Sequence, residues 1–203
     1  MPCSRRLLLV AGVSLALFGK PSHAQGGIGH VVRTAGAPNL QRARRLYPLH
    51  RDDAVFEGDT VRTDPRSLAE LMLAEATLIS LGPNSALTID SFTASLGGQI
   101  SLGGAMVLDR PEDLPPIDLT VRSAFARIGV RGTRFFAGPS KGVFAVFVAR
   151  GSVEVGMPGR TGGPTRVLGP GDGVDIARAG GRPGEVVRWG QARIDAAFAS
   201  VGL

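Results

Sequence analysis

The sequence predicts an all-β fold: a compact β-roll, solenoid or sandwich of short, mostly antiparallel strands, with one short helix at the C-terminus. Three observations point there. From Val55 onward, short apolar segments are separated by turn residues at spacings of roughly 8–12 positions, as in sandwiches and barrels. Within those segments apolar and polar residues alternate, as half-buried strands require. Finally, 29 Gly and 14 Pro in 203 residues are too many for a bundle of long helices, because each costs a helix interior about 1 (Gly) to 3 (Pro) kcal/mol. The length suits one ordinary domain. A 43% apolar content and a modest net charge exclude a disordered chain.

The elements follow in order. Residues 1–24 read as a cleavable export signal. Arg5 and Arg6 form a basic start, Leu7–Gly19 an uncharged, mostly apolar run, and Ser22-His23-Ala24 a small-residue cleavage site before Gln25. A helix of that length rises about 20 Å, short of the roughly 30 Å hydrocarbon core, so the run does not read as a membrane span. Nor does any later segment, so the mature chain is expected to have none. The paired arginines and Lys20 suit the twin-arginine route, although Leu8 stands where that signal usually has an aromatic. The general secretory route leads to the same compartment, the periplasm. The single Cys3 lies inside this segment, which leaves the mature chain without a disulfide framework.

Residues 25–54 hold a first short strand at Val31-Val32 and then an irregular basic loop over Pro38–Arg51, with Arg42, Arg44, Arg45 and Arg51. Residues 55–178 form the main β domain. Leu87/Ile89, Ile100/Leu102, Leu119/Val121, Ile128/Val130 and Val153/Val155 each alternate with polar or small neighbours. Val143–Ala149 is apolar on both faces and predicts a central strand covered on both sides. Turns are expected at Gly82-Pro83-Asn84, Gly97-Gly98, Gly103-Gly104, Arg150-Gly151 and Gly169-Pro170-Gly171. Asp109–Pro116, rich in proline and acid, reads as an exposed crossing loop. Gly156–Pro164 reads as a hairpin tip, with two further strands around Val167 and around Val174 and Ile176. In the C-terminal extension, residues 179–203, Ile194, Ala197, Phe198 and Val201 fall at helical spacing. They predict one short amphipathic helix that docks on the sheet or folds with a partner.

Three blocks in this order resemble the FecR domain, the periplasmic sensor-side module of iron-transport regulators. They are Gly58-Asp59-Thr60-Val61-Arg62-Thr63 followed by Ala69-Glu70-Leu71; Leu81-Gly82-Pro83-Asn84-Ser85 before Leu87; and Gly129-Val130-Arg131-Gly132-Thr133-Arg134-Phe135 with Gly151-Ser152-Val153-Glu154-Val155. Leu168-Gly169-Pro170-Gly171 resembles the turn that follows. The resemblance covers residues 58–155. Full regulators of this family carry a cytoplasmic sigma-factor-binding segment, a membrane helix and a longer C-terminal subdomain. Here a cleavable signal stands in their N-terminal region, and 48 residues follow Val155. The resemblance therefore implies a stand-alone exported FecR domain acting as a non-enzymatic protein-binding or signalling module in iron-transport or envelope signalling. Where the family often has Asp-Gly in the hairpin before the second block, this chain has Glu75-Ala76, so a different turn is expected.

No catalytic residue, metal ligand set or cofactor site emerges. Gly138-Pro139-Ser140-Lys141-Gly142 fits G-x-S-x-G, but strands on both sides and the lack of any His after His50 exclude a nucleophile elbow. His30 and His50 are far apart in sequence with no cysteine between them, which disfavours zinc. Gly171-Asp172-Gly173-Val174-Asp175 is one copy of what a calcium site would need in stacked turns. The acids Asp52, Asp53, Glu57 and Asp59 are read as neutralising the arginines before them. Gly129, Gly132, Gly82, Asn84 and Gly151 are read as structural motif residues, with Gly129 and Gly132 placed where a bulge or tight bend excludes a Cβ. Arg131, Thr133 and Arg134 are the candidate contact with an envelope protein, through the sheet surface or by strand addition. The alternative is a structural envelope protein that holds cell-wall polymer or anionic lipid through Arg42–Arg51. Nucleic acid is not an expected partner: without Arg5, Arg6 and Lys20 the balance is 20 basic against 17 acidic residues.

Overall fold

The computed structural model describes residues 27–159 and 163–203. The export signal read over residues 1–24 lies outside the described residues, as does the tip of the Gly156–Pro164 loop at 160–162. The strands are β1 (Gly29–Ala35), β2 (Asn39–Arg42), β3 (Arg45–Pro48), β4 (Ala54–Val55), β5 (Thr60–Arg62), β6 (Leu68–Leu73), β7 (Thr77–Leu81) and β8 (Ala86–Thr93). They continue as β9 (Gly97–Gly103), β10 (Met106–Asp109), β11 (Asp118–Arg122), β12 (Arg127–Ser140), β13 (Val143–Gly156), β14 (Arg166–Leu168), β15 (Asp172–Ile176) and β16 (Val187–Arg188). One helix, α1 (Gln191–Ala199), ends the described chain. The all-β class with a short C-terminal helix is as expected.

The strands hydrogen-bond into one curled mixed sheet in the order β3-β2-β5-β8-β9-β11-β12-β10-β7-β6-β1-β4, with β13 on β12 and β14 and β15 on β13. The sheet curls because its apolar faces share one core: Val31, Leu71 and Ile79 from one end pack in the same cluster as Leu87, Ile100 and Val121 from the other. Every alternating pair read from the sequence, from Leu87/Ile89 to Val153/Val155, lies on that inner face. Among the described pairings only β9–β11 is parallel. A parallel neighbour needs a crossover, and the chain supplies it as β10 plus the crossing loop after Asp109. Pro111–Asp113 of that loop are exposed as expected, but Arg110 is buried, donating to Thr77 Oγ1 at 3.2 Å and to the Pro115 carbonyl at 3.0 Å.

Three local expectations are corrected. The stretch Pro38–Arg51 is not irregular: β2 and β3 form a hairpin whose turn residues, Ala43 and Arg44, take left-handed φ values of 47° and 66°. The usual glycine turn signal is missing there, which hid the hairpin. Gly97-Gly98 is not a turn but the start of β9; the turn lies at 94–96. Missing side chains let the Asp118 backbone approach: a Cβ on Gly97 would stand 2.6 Å from its carbonyl oxygen. Arg150-Gly151 is not a turn either, but a bulge inside the continuous strand β13. The short strand β16 on β15 had no sequence signal.

Candidate functional site

Four polar residues of the three motif blocks, Asp59, Thr63, Ser85 and Thr133, are buried pins. Asp59 is 1% exposed, takes the Arg42 guanidinium through Nε (2.8 Å) and NH2 (2.6 Å), and accepts from the Phe56 backbone N–H at 2.8 Å. This hydrogen-bonded carboxylate raises Arg42 above its ordinary pKa. Thr63 Oγ1 donates to the Gly82 carbonyl (2.6 Å) and accepts from the Ser85 N–H (2.9 Å), tying the first block to the second. Ser85 Oγ accepts from the Ala105 N–H at 2.9 Å and so ties the second block to β10. A buried backbone group without a partner costs about 1–3 kcal/mol, so each hydroxyl has a structural use.

The third block is the centre of the long β12–β13 hairpin. Gly132 and Gly151 face each other with φ of 53° and 76°, and a Cβ on Gly151 would overlap the Gly132 carbonyl. The register shifts here, between Arg131 and Arg134. Thr133, fully buried, shares its hydroxyl proton between the carbonyls of Arg131 and Ser152, each at 3.0 Å. The bulge divides the hairpin. On one side β12 pairs with β11; on the other it pairs with β10.

On the β11 side the outer face is open. A groove of about 410 Å³ runs over Gly129, between Thr120, Arg127, Arg131, Glu154 and Val167. Arg127 reaches Glu154 at 3.5 Å. Arg131 is exposed and makes no ion pair among the described residues. The groove's far wall is β14, which pairs with β13 alone and leaves Val167 69% exposed. Next to it, a depression of about 390 Å³ crosses β5, β8 and β9 beside Arg62 and Arg122. There Thr60 and Thr88 join their hydroxyls at 2.8 Å.

On the β10 side the outer face is apolar and covered. Phe136, Phe147, Val107 and Ala145 form a second small core with Trp189, Ala197 and Val201. The Trp189 ring stacks on Phe147 at 5.0 Å, and Phe198 meets Phe147 edge-on at 6.3 Å. Arg193 fastens the helix, reaching Asp175 at 2.6 Å and Ser140 Oγ at 3.1 Å, with its guanidinium 3.8 Å over the Trp189 ring. The chain end packs on the second motif block: a Cβ on Gly82 would stand 2.7 Å from the Ser200 carbonyl.

The three residues read as one contact are thus not one contact. Arg131 lies on the open face. Thr133 is inside the bulge. Arg134 turns to the covered side, 3.6 Å from Asp109 and 5.2 Å over the Phe198 ring. Gly82, Asn84, Gly129, Gly132 and Gly151 all occur in turns, bulges or strands, but a Cβ would be crowded only at Gly82 and Gly151. At Gly129 a built Cβ meets no atom nearer than 3.9 Å and at Gly132 none within 4 Å, so at Gly132 the positive φ, not lack of space, favours glycine. Gly138–Gly142 is the hairpin end, with Lys141-Gly142 as its two-residue turn. The sequence reading missed the Trp189–Arg193 latch; the one Trp of the chain, just before the helical spacing begins, was the available signal. Among the described residues no group of three or more His, Cys, Asp or Glu could hold a metal ion, and no helix is long and apolar enough to cross a membrane.

Fold and face together define an all-β domain whose motif residues build a bulged scaffold and whose outer surface is half open and half capped. Residues 59–154, 96 of the 203 residues, match the family described as FecR protein, so this stretch carries a FecR domain. A comparison with curated proteins gave no match. Among solved structures, two of a "putative anti-sigma factor" from Parabacteroides distasonis are similar, each 18% identical with a TM-score of 0.54 over 68% of this chain. The likeness spans 63% and 62% of those chains, less than two thirds of their length. At that identity it carries the fold.

Proposed function

We infer that this chain is an exported, non-enzymatic signalling module of the cell envelope that binds a protein partner through the open half of its β12–β13 face. Export to the periplasm rests on the signal read over residues 1–24, and an iron-transport or related envelope role on the FecR domain. The anti-sigma description of the similar structures supports a regulatory partner rather than a substrate. The observation that carries the reading is Arg131. It stands in the third motif block, is exposed, and faces a groove next to a free strand edge, where an added strand could pair with β14. The alternative reading, wall polymer or anionic lipid held by Arg42–Arg51, has to do without Arg42, which is spent on buried Asp59.

The test is a photocrosslinking amino acid placed at Arg131, or at Phe198 on the covered side, in cells that make the protein. The expected result is one envelope protein captured from position 131 and lost in Arg127→Glu, with no capture from position 198. Equal capture from both positions, or a signal confined to the cytoplasm, overturns the reading.

A further inference from the structure

The acids of the crossing loop play no part in the face just described. Beyond the capped half, the outer face of β6 and β7 sets Met72 opposite Leu78, both half-buried. With Leu114 they floor a groove of about 520 Å³, rimmed by exposed Glu75, Glu112 and Asp113. That size is in the range of ligand pockets. The one arginine on its wall, Arg150, is engaged with Asp109 at 2.7 Å and lies 3.7 Å from Glu112. An apolar floor under an acidic rim selects a cationic segment that carries apolar side chains.

This chain has such a segment. At the tip of the β2–β3 hairpin, Arg44 and Arg45 are exposed and make no ion pair among the described residues. Beside them Leu46 is 64% and Tyr47 44% exposed. The Arg42–Asp59 bridge roots the hairpin, so the tip is held out as a fixed ridge.

We propose that the β2–β3 tip of one copy docks in the Met72–Leu78 groove of a second copy. Leu46, on the face of β3 turned away from the buried Leu40, meets the apolar floor, and Arg44 and Arg45 at the tip face Glu112 and Asp113. The two patches are different surfaces of one chain, so the contact is heterologous and propagates head to tail. A four-residue strand covers far less than the roughly 1,200–2,000 Å² of a stable interface, so each contact is weak and assembly follows concentration. The contact uses neither Arg131 nor α1, and it stands or falls apart from the reading above.

Sedimentation velocity on the chain as the cell matures it, from about 1 μM to about 1 mM, tests it with two variants. One is Arg44→Glu with Arg45→Glu; the other is Glu112→Arg with Asp113→Arg. All four sites are exposed, and unchanged melting temperatures confirm the folds. The expected result is that the wild type grows with concentration while each variant alone stays monomeric. Mixed, the two variants should associate and grow with concentration again, because the unchanged tip of one meets the unchanged groove of the other and the reversed tip meets the reversed groove with charges again opposite. A wild type that stays monomeric throughout overturns the proposal, as does association that either variant leaves intact. Binding of anionic phosphatidylglycerol vesicles by the monomeric wild type, lost in Arg44→Glu with Arg45→Glu, would assign the tip to lipid and also overturn it.

Discussion

The two halves of the β12–β13 hairpin share two strands and one inner core, yet their outer faces are opposites. From Arg127 to Arg131 the burial of β12 alternates, and from Phe135 to Gly138 it is continuous. β13 repeats this in reverse, continuous through Phe144–Val148 and alternating near Val153 and Val155. The change falls at the Gly132/Gly151 bulge. A strand can therefore switch from a one-sided to a two-sided element without ending, provided a bulge re-aims it and another part of the chain arrives to cover it. The half left uncovered among the described residues is the one proposed above to bind a partner.

Removing the cover's anchor gives the largest expected effect. Phe147→Ala should lower unfolding free energy in urea by about 3–5 kcal/mol, the usual cost of emptying a buried aromatic site. Thr120→Ala, on the open half, should stay within about 0.5 kcal/mol. Similar losses from the two substitutions would mean that the halves do not differ as described.

The bulge comes next. Gly151→Ala puts a Cβ against the Gly132 carbonyl at a positive φ, and should cost about 2 kcal/mol or more. Gly129→Ala, one short step along the same motif but with open space above it, should change stability by less than about 1 kcal/mol. Thermal melts of the pair locate the constraint in the bulge; equal losses would spread it along the strand.

The smallest effect belongs to a pin outside both halves. Asp64 accepts from Ser67 Oγ at 2.6 Å and from the Arg66 N–H at 3.1 Å, and these bonds hold its carboxyl below the ordinary aspartate range. Its contribution is complete above that ordinary range and is lost as pH falls through the lowered folded value. Ser67→Ala should move the Asp64 titration upward in an NMR pH series. An unmoved titration would show that the Ser67 bond does not set it.

Much of this was legible in the residues. Leu119/Val121 and Ile128/Val130 announced their strands because alternation is a local property of a pleated chain. Val143–Ala149 announced two-sided cover for the same reason. The helix declared itself by its spacing, whereas Gly132 and Gly151 show their role only in the bulge, where both take a positive φ and a Cβ on Gly151 would meet the Gly132 carbonyl. The hairpin at Asn39–Pro48 was hidden because Ala43 and Arg44 hold the turn without a glycine, backed by a bridge to an acid seventeen positions on. Arg131, Thr133 and Arg134 read as one patch because they are adjacent in sequence; the bulge sends them to three different environments.

The sequence by itself determined the class of fold and most of the run of strands, since each depends on a residue and its near neighbours. Only the tertiary structure decided which outer face is wet. That choice depends on Trp189, Arg193 and Val201 arriving from the far end of the chain onto Phe136 and Phe147. Contacts across such separations leave no periodic trace in the segments they join.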